Sequence, residues 1–395
     1  MMKLNQISNL SKIIDECVHC GLCLSSCPTY LTSGLEAKSP RGRLLIMNQI
    51  QENPEVLDKE MLQHLNTCLD CRGCETVCPS GVEYHLAFQE TTNIINKNQT
   101  LPFLSTFILS EIKNKKILPL IKWVVWISKK LRILSLLSKL GINTAIQGNS
   151  IPVNKIEDLL KIKSGIHKTN QISKGLIGLY TGCIMNEWFI KVHKSTINVL
   201  NTLGYNVFIP ENNICCGALH QHSGDSGTAF QLKSESENIF KNCDFVVVNS
   251  AGCSAELKSN NTKIKYLDII EFLNSVEIKM KNSWNKNIIW DAPCHLSHAQ
   301  QLATTTTELF NKLKIEPISW SGQEICCGGA GNYTLIHPQE SEEILKLKYN
   351  QLLKYEINYL VTSNPGCHLQ LEKGRQLYNR NFQIIHFVEL IEMIL

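Results

Sequence analysis

The 395-residue chain reads as a multidomain protein of α+β and α/β class: a mostly helical N-terminal module, then a duplicated α/β cysteine-rich domain with parallel strands. Three observations predict this. The 17 cysteines fall into two short repeats followed by two long ones. Apolar runs of strand length in the C-terminal half stop at cysteines, and helical patterns separate those runs. With 43% hydrophobic residues the chain has ample material for a core without disulfide staples. Met1 to Ser11 has one lysine and no apolar stretch, so reduced thiols and a cytoplasmic location are expected. An odd cysteine count leaves a thiol over under any disulfide scheme, whereas metal sites take cysteines in fours. A net charge of +4 is too near neutral to suggest nucleic acid.

The first module is expected over residues 1–95, with repeats at about 8–38 and 59–88. Cys17, Cys20, Cys23, Cys27 and Pro28 recur 51 residues later as Cys68, Cys71, Cys74, Cys78 and Pro79. Given one cysteine, the other three and the proline would fall into place by composition about twice in a million trials, and here they do so twice. Zinc takes two C-x2-C pairs separated by a longer loop. The spacing C-x2-C-x2-C-x3-C-P is instead the bacterial ferredoxin run, in which three thiolates wrap one face of a [4Fe–4S] cubane and the fourth departs to the neighbouring cluster. Crossed ligation follows: Cys17, Cys20, Cys23 and Cys78 for one cluster, Cys27, Cys68, Cys71 and Cys74 for the other. Gly21 and Gly73 are expected to let the backbone approach the sulfides.

A helical, basic connector is expected over 96–170. Residues 111–140 hold eight Lys/Arg against the single acid Glu111. On a helical wheel Leu120, Val124, Ile127, Leu131 and Leu134 share one side, and Lys115, Lys122 and Lys129 gather opposite, with Pro119 suited to the first turn. Trp123 and Trp126 add the composition of a membrane-surface element, so one reading is peripheral contact with the inner face of the cell membrane through residues 117–140. The other, slightly favoured, is a helix that packs over the α/β domain and leaves its basic face to solvent. No apolar run approaches the roughly 18 residues of a membrane span. Gly148 to Asn170 lacks periodicity and reads as a linker.

The long repeats are expected over 171–280 and 281–395. Cys183 and then Cys215-Cys216-Gly217 recur 111 residues on as Cys294 and then Cys326-Cys327-Gly328, while Cys253 is answered by Cys367 at a displacement of 114. Ile264 to Leu273 resembles Ile384 to Met393. Strands are expected at Leu176–Tyr180, Phe245–Val248, Ile288–Trp290 and Tyr359–Thr362, each leading to a cysteine, with helices over Glu187–Leu203 and Glu340–Leu353. In parallel α/β units sites form beyond the carboxyl ends of strands, where these cysteines sit. Each repeat offers four thiolates: Cys183, Cys215, Cys216, Cys253, and Cys294, Cys326, Cys327, Cys367. Vicinal thiols strain a single tetrahedral ion but reach two irons of one cluster, and Gly217 and Gly328 permit close backbone approach. The quartets therefore read as ligands of a further cluster, as zinc sites or as reduced core thiols.

Cys243 stands apart and reads as a core residue. His295 and His368 each follow a quartet cysteine and are either core histidines or groups tuning a cluster. Arg41 and Arg43 support cluster charge or lie on the surface. His19, inside the first run, reads as a surface neighbour of the cluster, and His220 and His222 in a polar loop carry no sharper signal. No dinucleotide fingerprint, P-loop or Ser/His/Asp arrangement is evident, so neither flavin nor catalytic acid-base residues are expected on this chain.

Two ferredoxin runs followed by two Cys-Cys-Gly repeats, with Pro40-Arg41-Gly42-Arg43 between the runs, APCHLSHAQ at 292–300 and ICCGGAGNY at 325–333, resemble the iron-sulfur subunit of bacterial glycolate oxidase over essentially the whole chain. The wider group sharing the repeat includes heterodisulfide reductase subunits, the third subunit of anaerobic glycerol-3-phosphate dehydrogenase and lactate-utilisation proteins. The resemblance implies the electron-transfer subunit of a glycolate dehydrogenase complex. FAD-containing partner subunits would oxidise glycolate to glyoxylate, and this chain would pass the electrons to a quinone or other acceptor. The alternatives are the iron-sulfur subunit of a related lactate or glycerol-3-phosphate dehydrogenase, or a heterodisulfide reductase-like enzyme acting at the C-terminal cysteines. In heterodisulfide reductase the repeat closes with C-x2-C and holds a non-cubane cluster; here Ser250 and Asn364 occupy the first of those positions.

Overall fold

The computed structural model describes residues 10–55, 58–98, 103–114, 117–139, 148, 150–212, 214–259 and 262–395. Apolar runs that end at cysteines become its central strands: β2 (Leu176–Tyr180), β4 (Phe245–Val248), β6 (Ile288–Trp290) and β7 (Tyr359–Thr362). Four further strands occur among the described residues: β1 (Gly165–His167), β3 (Asn206–Ile209), β5 (Tyr266–Asp268) and β8 (Gln383–His386). They form a five-stranded sheet in the order β1-β3-β2-β4-β5 and a three-stranded sheet in the order β6-β7-β8. Every pairing is parallel except β1 with β3. Val246, Val247, Val248, Leu360 and Val361 are wholly buried, as parallel strands covered by helices on both faces must be.

The echoed tails build the same unit twice. IKYLDIIEFL forms β5 and the helix Ile269–Ser275, and IIHFVELIEM forms β8 and the helix Phe387–Ile394. Asp268 and His386 accept from the helix backbone at 3.1 and 3.2 Å, and Glu271 and Glu389 reach back to close each capping box.

Two expectations are corrected, and the second repeat departs from the first. The linker at Gly148–Asn170 contributes the antiparallel edge strand β1. The helix expected over Glu187–Leu203 breaks at Phe189 (φ −121°, ψ 38°) into Ile184–Trp188 and Ile190–Thr202. The second repeat has no counterpart of β3, because the chain there passes through Pro317, which has no N–H for a ladder; Ile318 N donates to Ile288 O at 2.8 Å.

One apolar core runs through both repeats, from Leu179 and Val247 to Trp290, Val361 and Phe387. Helix Ile190–Thr202 of the first repeat packs on Phe387–Ile394 of the second, and Ile269–Ser275 packs on Ala303–Lys312. Each repeat thus covers its partner's helices.

In the N-terminal module helices Pro40–Glu52, Lys59–Asn66 and Tyr84–Asn98 enclose Met47, Ile50, Leu65, Ala87 and Phe88. Ser39 caps the first of these by accepting from Gly42 N at 3.0 Å, with Pro40 in the first turn. Gly42 has no alternative: a Cβ there would lie 2.0 Å from Glu36 O.

The connector overturns the reading of a solvated basic face. In helix Leu118–Lys130, Lys122 Nζ lies 3.2 Å from Glu187 Oε2, both side chains buried, and Lys129 Nζ donates to Asn154 Oδ1 at 3.1 Å and to Ile151 O. Leu118 and Val125 are also buried, while Leu120, Val124, Ile127 and Leu131 are exposed. The wheel is as expected, but its lysine side faces the protein and its apolar side faces out. The buried carboxylate of Glu187 requires a cation and so sets the helix's rotation. Lys115 lies outside the described residues. Among them no helix is long and apolar enough to cross a membrane.

Candidate iron-sulfur sites

The two ferredoxin runs fold alike. His19 (φ 54°) and Gly21 (φ 82°) in the first run match Asp70 (φ 47°) and Arg72 (φ 61°) in the second. Left-handed residues recurring within so short a loop turn successive N–H groups toward one concavity, the kind of nest that accepts an anionic cluster. Gly73 opens the short helix Gly73–Thr76 with its backbone N–H on the Cys71 sulfur, and Arg72 holds the left-handed position, its Nε on Glu75 Oε2 at 2.8 Å.

Cys27 of the first run lines one pocket with Cys68, Cys71 and Cys74 of the second, together with Arg43, Asp70 and Tyr84. Cys17 and Cys78 flank the helical core beside Cys68 and Cys74, and Cys20 is exposed. Arg43, 1% exposed, reaches into the pocket. Its Nη1 stands 3.9 Å from Cys27 Sγ, Nη2 donates to Thr29 Oγ1 (3.0 Å) and Thr67 Oγ1 (3.1 Å), and Nε donates to His64 O (2.9 Å). Burial works against its charge, but Cys68, Tyr84 and Cys27 outweigh burial and raise its pKa. Cys68 Sγ accepts from Asp70 N at 3.4 Å and from Tyr84 OH at 3.7 Å. Burial, and then Cys294, pushes the Cys71 thiol well up; burial and then Cys71 does the same to Cys74. Iron coordination would relieve that by taking the thiolate form. A buried cation among sulfurs from both runs fits a thiolate-ligated cluster. Arg41 serves from the surface, its Nη1 donating to His19 O at 3.1 Å and its Nε paired with Glu36 at 2.5 Å.

Both quartets assemble. Side-chain hydrogen bonds run Cys183–Cys215–Cys216–Cys253 in the first repeat and Cys294–Cys326–Cys327–Cys367 in the second, where Cys327 and Cys367 sulfurs are 3.4 Å apart. Among the described residues no three His, Cys, Asp or Glu side chains gather as they would about one metal ion. Gly217 (φ 87°) and Gly328 (φ 77°) follow the vicinal pairs because a Cβ would meet Ala229 Cα at 2.9 Å or Ser341 O at 2.8 Å. Gly217 N donates to Cys215 Sγ (3.5 Å), Gly328 N to Cys326 Sγ (3.4 Å) and Gly329 N to Cys327 Sγ (3.4 Å). Ser250 and Asn364 cap the helices that carry Cys253 and Cys367, and Ser250 Oγ donates to Asn364 Oδ1 at 3.1 Å. The two positions that lack cysteine therefore tie the repeats together.

Several site residues carried no signal in the sequence. Lys348, fully buried, pairs with Asp291 at 2.5 Å beneath Cys327. Leu69 and Cys71 share an apolar group with Cys294, Cys326 and Tyr333, so the second run abuts the second quartet. Tyr333 OH donates to Thr67 O at 3.3 Å and Thr76 Oγ1 bonds His298 Nδ1 at 2.8 Å across the same joint. There the buried carboxylate of Asp70 meets His85 Nδ1 at 2.9 Å and His222 Nδ1 at 2.7 Å. Burial pushes its pKa up, but the two histidines win and hold it well below the usual carboxylate range. The His222 ring lies 5.9 Å from that of His295, whose pKa is lowered to about 4, by burial and then by His222. His368 packs edge-on against Phe189 at 5.1 Å. His19 is exposed, and Cys243 lies at the edge of the group around Phe240 and Val246, its thiol pushed up to about 11 by burial.

Comparison with known proteins agrees with this geometry. Residues 13–82 match the 4Fe-4S dicluster domain, and residues 177–258 and 289–372 each match the cysteine-rich domain. The chain is 26% identical to the "Probable glycolate oxidase iron-sulfur subunit" of Bacillus subtilis, over 95% of this chain and 92% of that one. It is 25% identical to the glycolate oxidase iron-sulfur subunit of Escherichia coli, over 97% and 94%. Lactate utilization protein A 2 of Bacillus cereus is 22% identical over 54% of this chain and 97% of its own. The chain thus joins an iron-sulfur 4Fe-4S dicluster domain to a duplicated cysteine-rich domain, and nearly its whole length is similar to glycolate oxidase iron-sulfur subunits.

Proposed function

We propose that the chain carries electrons one at a time from a flavin on partner subunits, where glycolate is oxidised to glyoxylate, toward a quinone or other acceptor. The observation that carries this reading is the pocket that gathers Cys27 with Cys68, Cys71 and Cys74 around Arg43. In it Cys17, Cys20, Cys23 and Cys78 hold one [4Fe–4S] cluster, and Cys27, Cys68, Cys71 and Cys74 hold the other. Such clusters supply one-electron carriers that drain a two-electron flavin in successive steps. The chain's own residues set the conditions. Arg43 offsets negative charge, Asp70 N and Tyr84 OH donate to Cys68 sulfur, and the apolar joint around Leu69 keeps water from Cys71. The quartets are proposed as ligands of further redox iron, because four thiols with two vicinal members suit more than one metal atom. The relatives named above support glycolate as the donor.

In the complex purified with its flavoprotein subunits, Cys20→Ser should leave flavin reduction by glycolate intact and abolish onward reduction of dye or quinone. Unchanged turnover contradicts the proposal. Offering lactate in place of glycolate separates the alternative donor, suggested by a relative that matches about half of the chain's length.

A further inference from the structure

Helix Leu118–Lys130 turns its apolar side to solvent. Leu120, Val124, Ile127 and Leu131 form one stripe at i, i+4, i+7 and i+11 and are 61%, 54%, 45% and 63% exposed, with Trp123 46% exposed beside them. Leu136 in the following helix, Ile133–Lys139, is 64% exposed. Helix Leu118–Lys130 cannot roll to hide the stripe. Lys122 is committed to the buried Glu187, Lys129 to Ile151 O and Asn154, and Leu118 and Val125 to the interior. Lys130 and Arg132, both exposed, flank Leu131 in the sequence, and Lys113 is exposed in the preceding helix, Phe103–Asn114. From 112 to 156 the sequence has nine Lys/Arg and no Asp or Glu.

An apolar patch of this kind marks an interaction surface. Its surroundings select the occupant. The rim of a protein interface is polar and of mixed charge, whereas the exposed charged side chains of helix Leu118–Lys130 and the turn after it are the cations Lys130 and Arg132, and the stripe carries an exposed tryptophan. That combination is complementary to anionic lipid: acyl chains take Leu120, Val124, Ile127 and Leu131, the indole of Trp123 sits at the boundary, and headgroup phosphates take Lys130 and Arg132. We propose that this face lies flat on an anionic membrane surface and seats the chain there as a peripheral protein. The inference goes beyond the electron-transfer reading and is independent of cluster content.

Co-sedimentation of the full-length, iron-loaded chain with vesicles tests it. Vesicles of phosphatidylcholine and phosphatidylglycerol should carry the chain down, and binding should weaken about tenfold or more on phosphatidylcholine alone or in about 0.5 M salt. The triple variant Leu120→Ser/Val124→Ser/Leu131→Ser and, separately, Lys130→Glu/Arg132→Glu should each reduce binding about tenfold or more. All five side chains are exposed, so iron content and melting temperature should stay at the wild-type values. Tryptophan emission should shift to the blue on vesicle addition, and Trp123→Phe should remove the shift. Failure of the wild-type chain to sediment with either vesicle overturns the proposal, as does equal sedimentation of the variants. If the wild-type chain ignores vesicles and the triple variant loses co-purification with the flavoprotein, the face is a subunit interface instead.

Discussion

Arg43 shows what one residue contributes to a cluster site. A guanidinium withdrawn from water and set beside Cys27 and Cys68 favours the more negative, reduced state of whatever those sulfurs ligate. Arg43→Met should therefore lower the midpoint potential of the second-run cluster, on the order of 60 mV for one electron, in an EPR-monitored titration. The sequence showed Arg43 only as part of a Pro-Arg-Gly-Arg string, because its interior position depends on Thr29 and on His64 and Thr67, which come from two other segments. Another residue-scale effect concerns pH. His193 donates to Thr181 O at 3.0 Å, and burial outweighs that bond, with His386 adding to the lowering, so its pKa falls to about 4; burial holds His386 at about 4 as well. Both lie below the unfolded value of about 6.5, so as pH falls from about 6.5 to about 4 the unfolded chain takes up protons that the folded chain refuses. Stability should drop across that window, by roughly 3 kcal/mol per histidine at its acid end. His193→Gln should recover its own share of that drop, roughly 3 kcal/mol, in denaturant titrations.

At the scale of elements, apolar runs were legible and their orientation was not. The four central strands fall where Val, Ile and Leu cluster before a cysteine, since a doubly covered parallel strand tolerates little else. Helix Leu118–Lys130 has the periodicity read from its sequence, yet amphipathicity alone pointed its lysines to solvent. One buried carboxylate, Glu187 on a helix some sixty positions away, reverses that choice. Lys122→Met would strand Glu187 and should cost about 3–5 kcal/mol. The double variant Lys122→Met/Glu187→Leu should regain most of it, measured by thermal unfolding. The missing β3 counterpart was readable in principle from Pro317, and the edge strand β1 was not, because three residues of GIH carry no strand signal until β3 offers them a ladder.

The whole molecule is a set of duplicated parts joined unequally. Cysteine spacing disclosed both duplications, because ligand geometry tolerates little drift, but contacts between modules leave no periodic trace. Asp70 and His85 of the ferredoxin module meet His222 and His295 only when the module docks on the long repeats, and of the four only His295, beside Cys294, carries a local mark. The reciprocal packing of the repeats' helices implies that neither repeat melts alone. Phe387→Ala, at a wholly buried position, should cost about 3–5 kcal/mol and shift one shared calorimetric transition for both repeats. The central claim is that cysteines of both runs together hold redox iron, and Cys27 tests it most directly, since it belongs to the first run but lines the pocket of the second. Iron and acid-labile sulfide should be measured with EPR of the dithionite-reduced, full-length chain, in wild type and in Cys27→Ser. The account predicts about eight irons from the two runs in wild type, any iron in the quartets adding to them, and loss of one cluster signal in Cys27→Ser with the other retained. A wild-type chain that carries zinc and no reducible iron, or a Cys27→Ser chain with both signals intact, would contradict it.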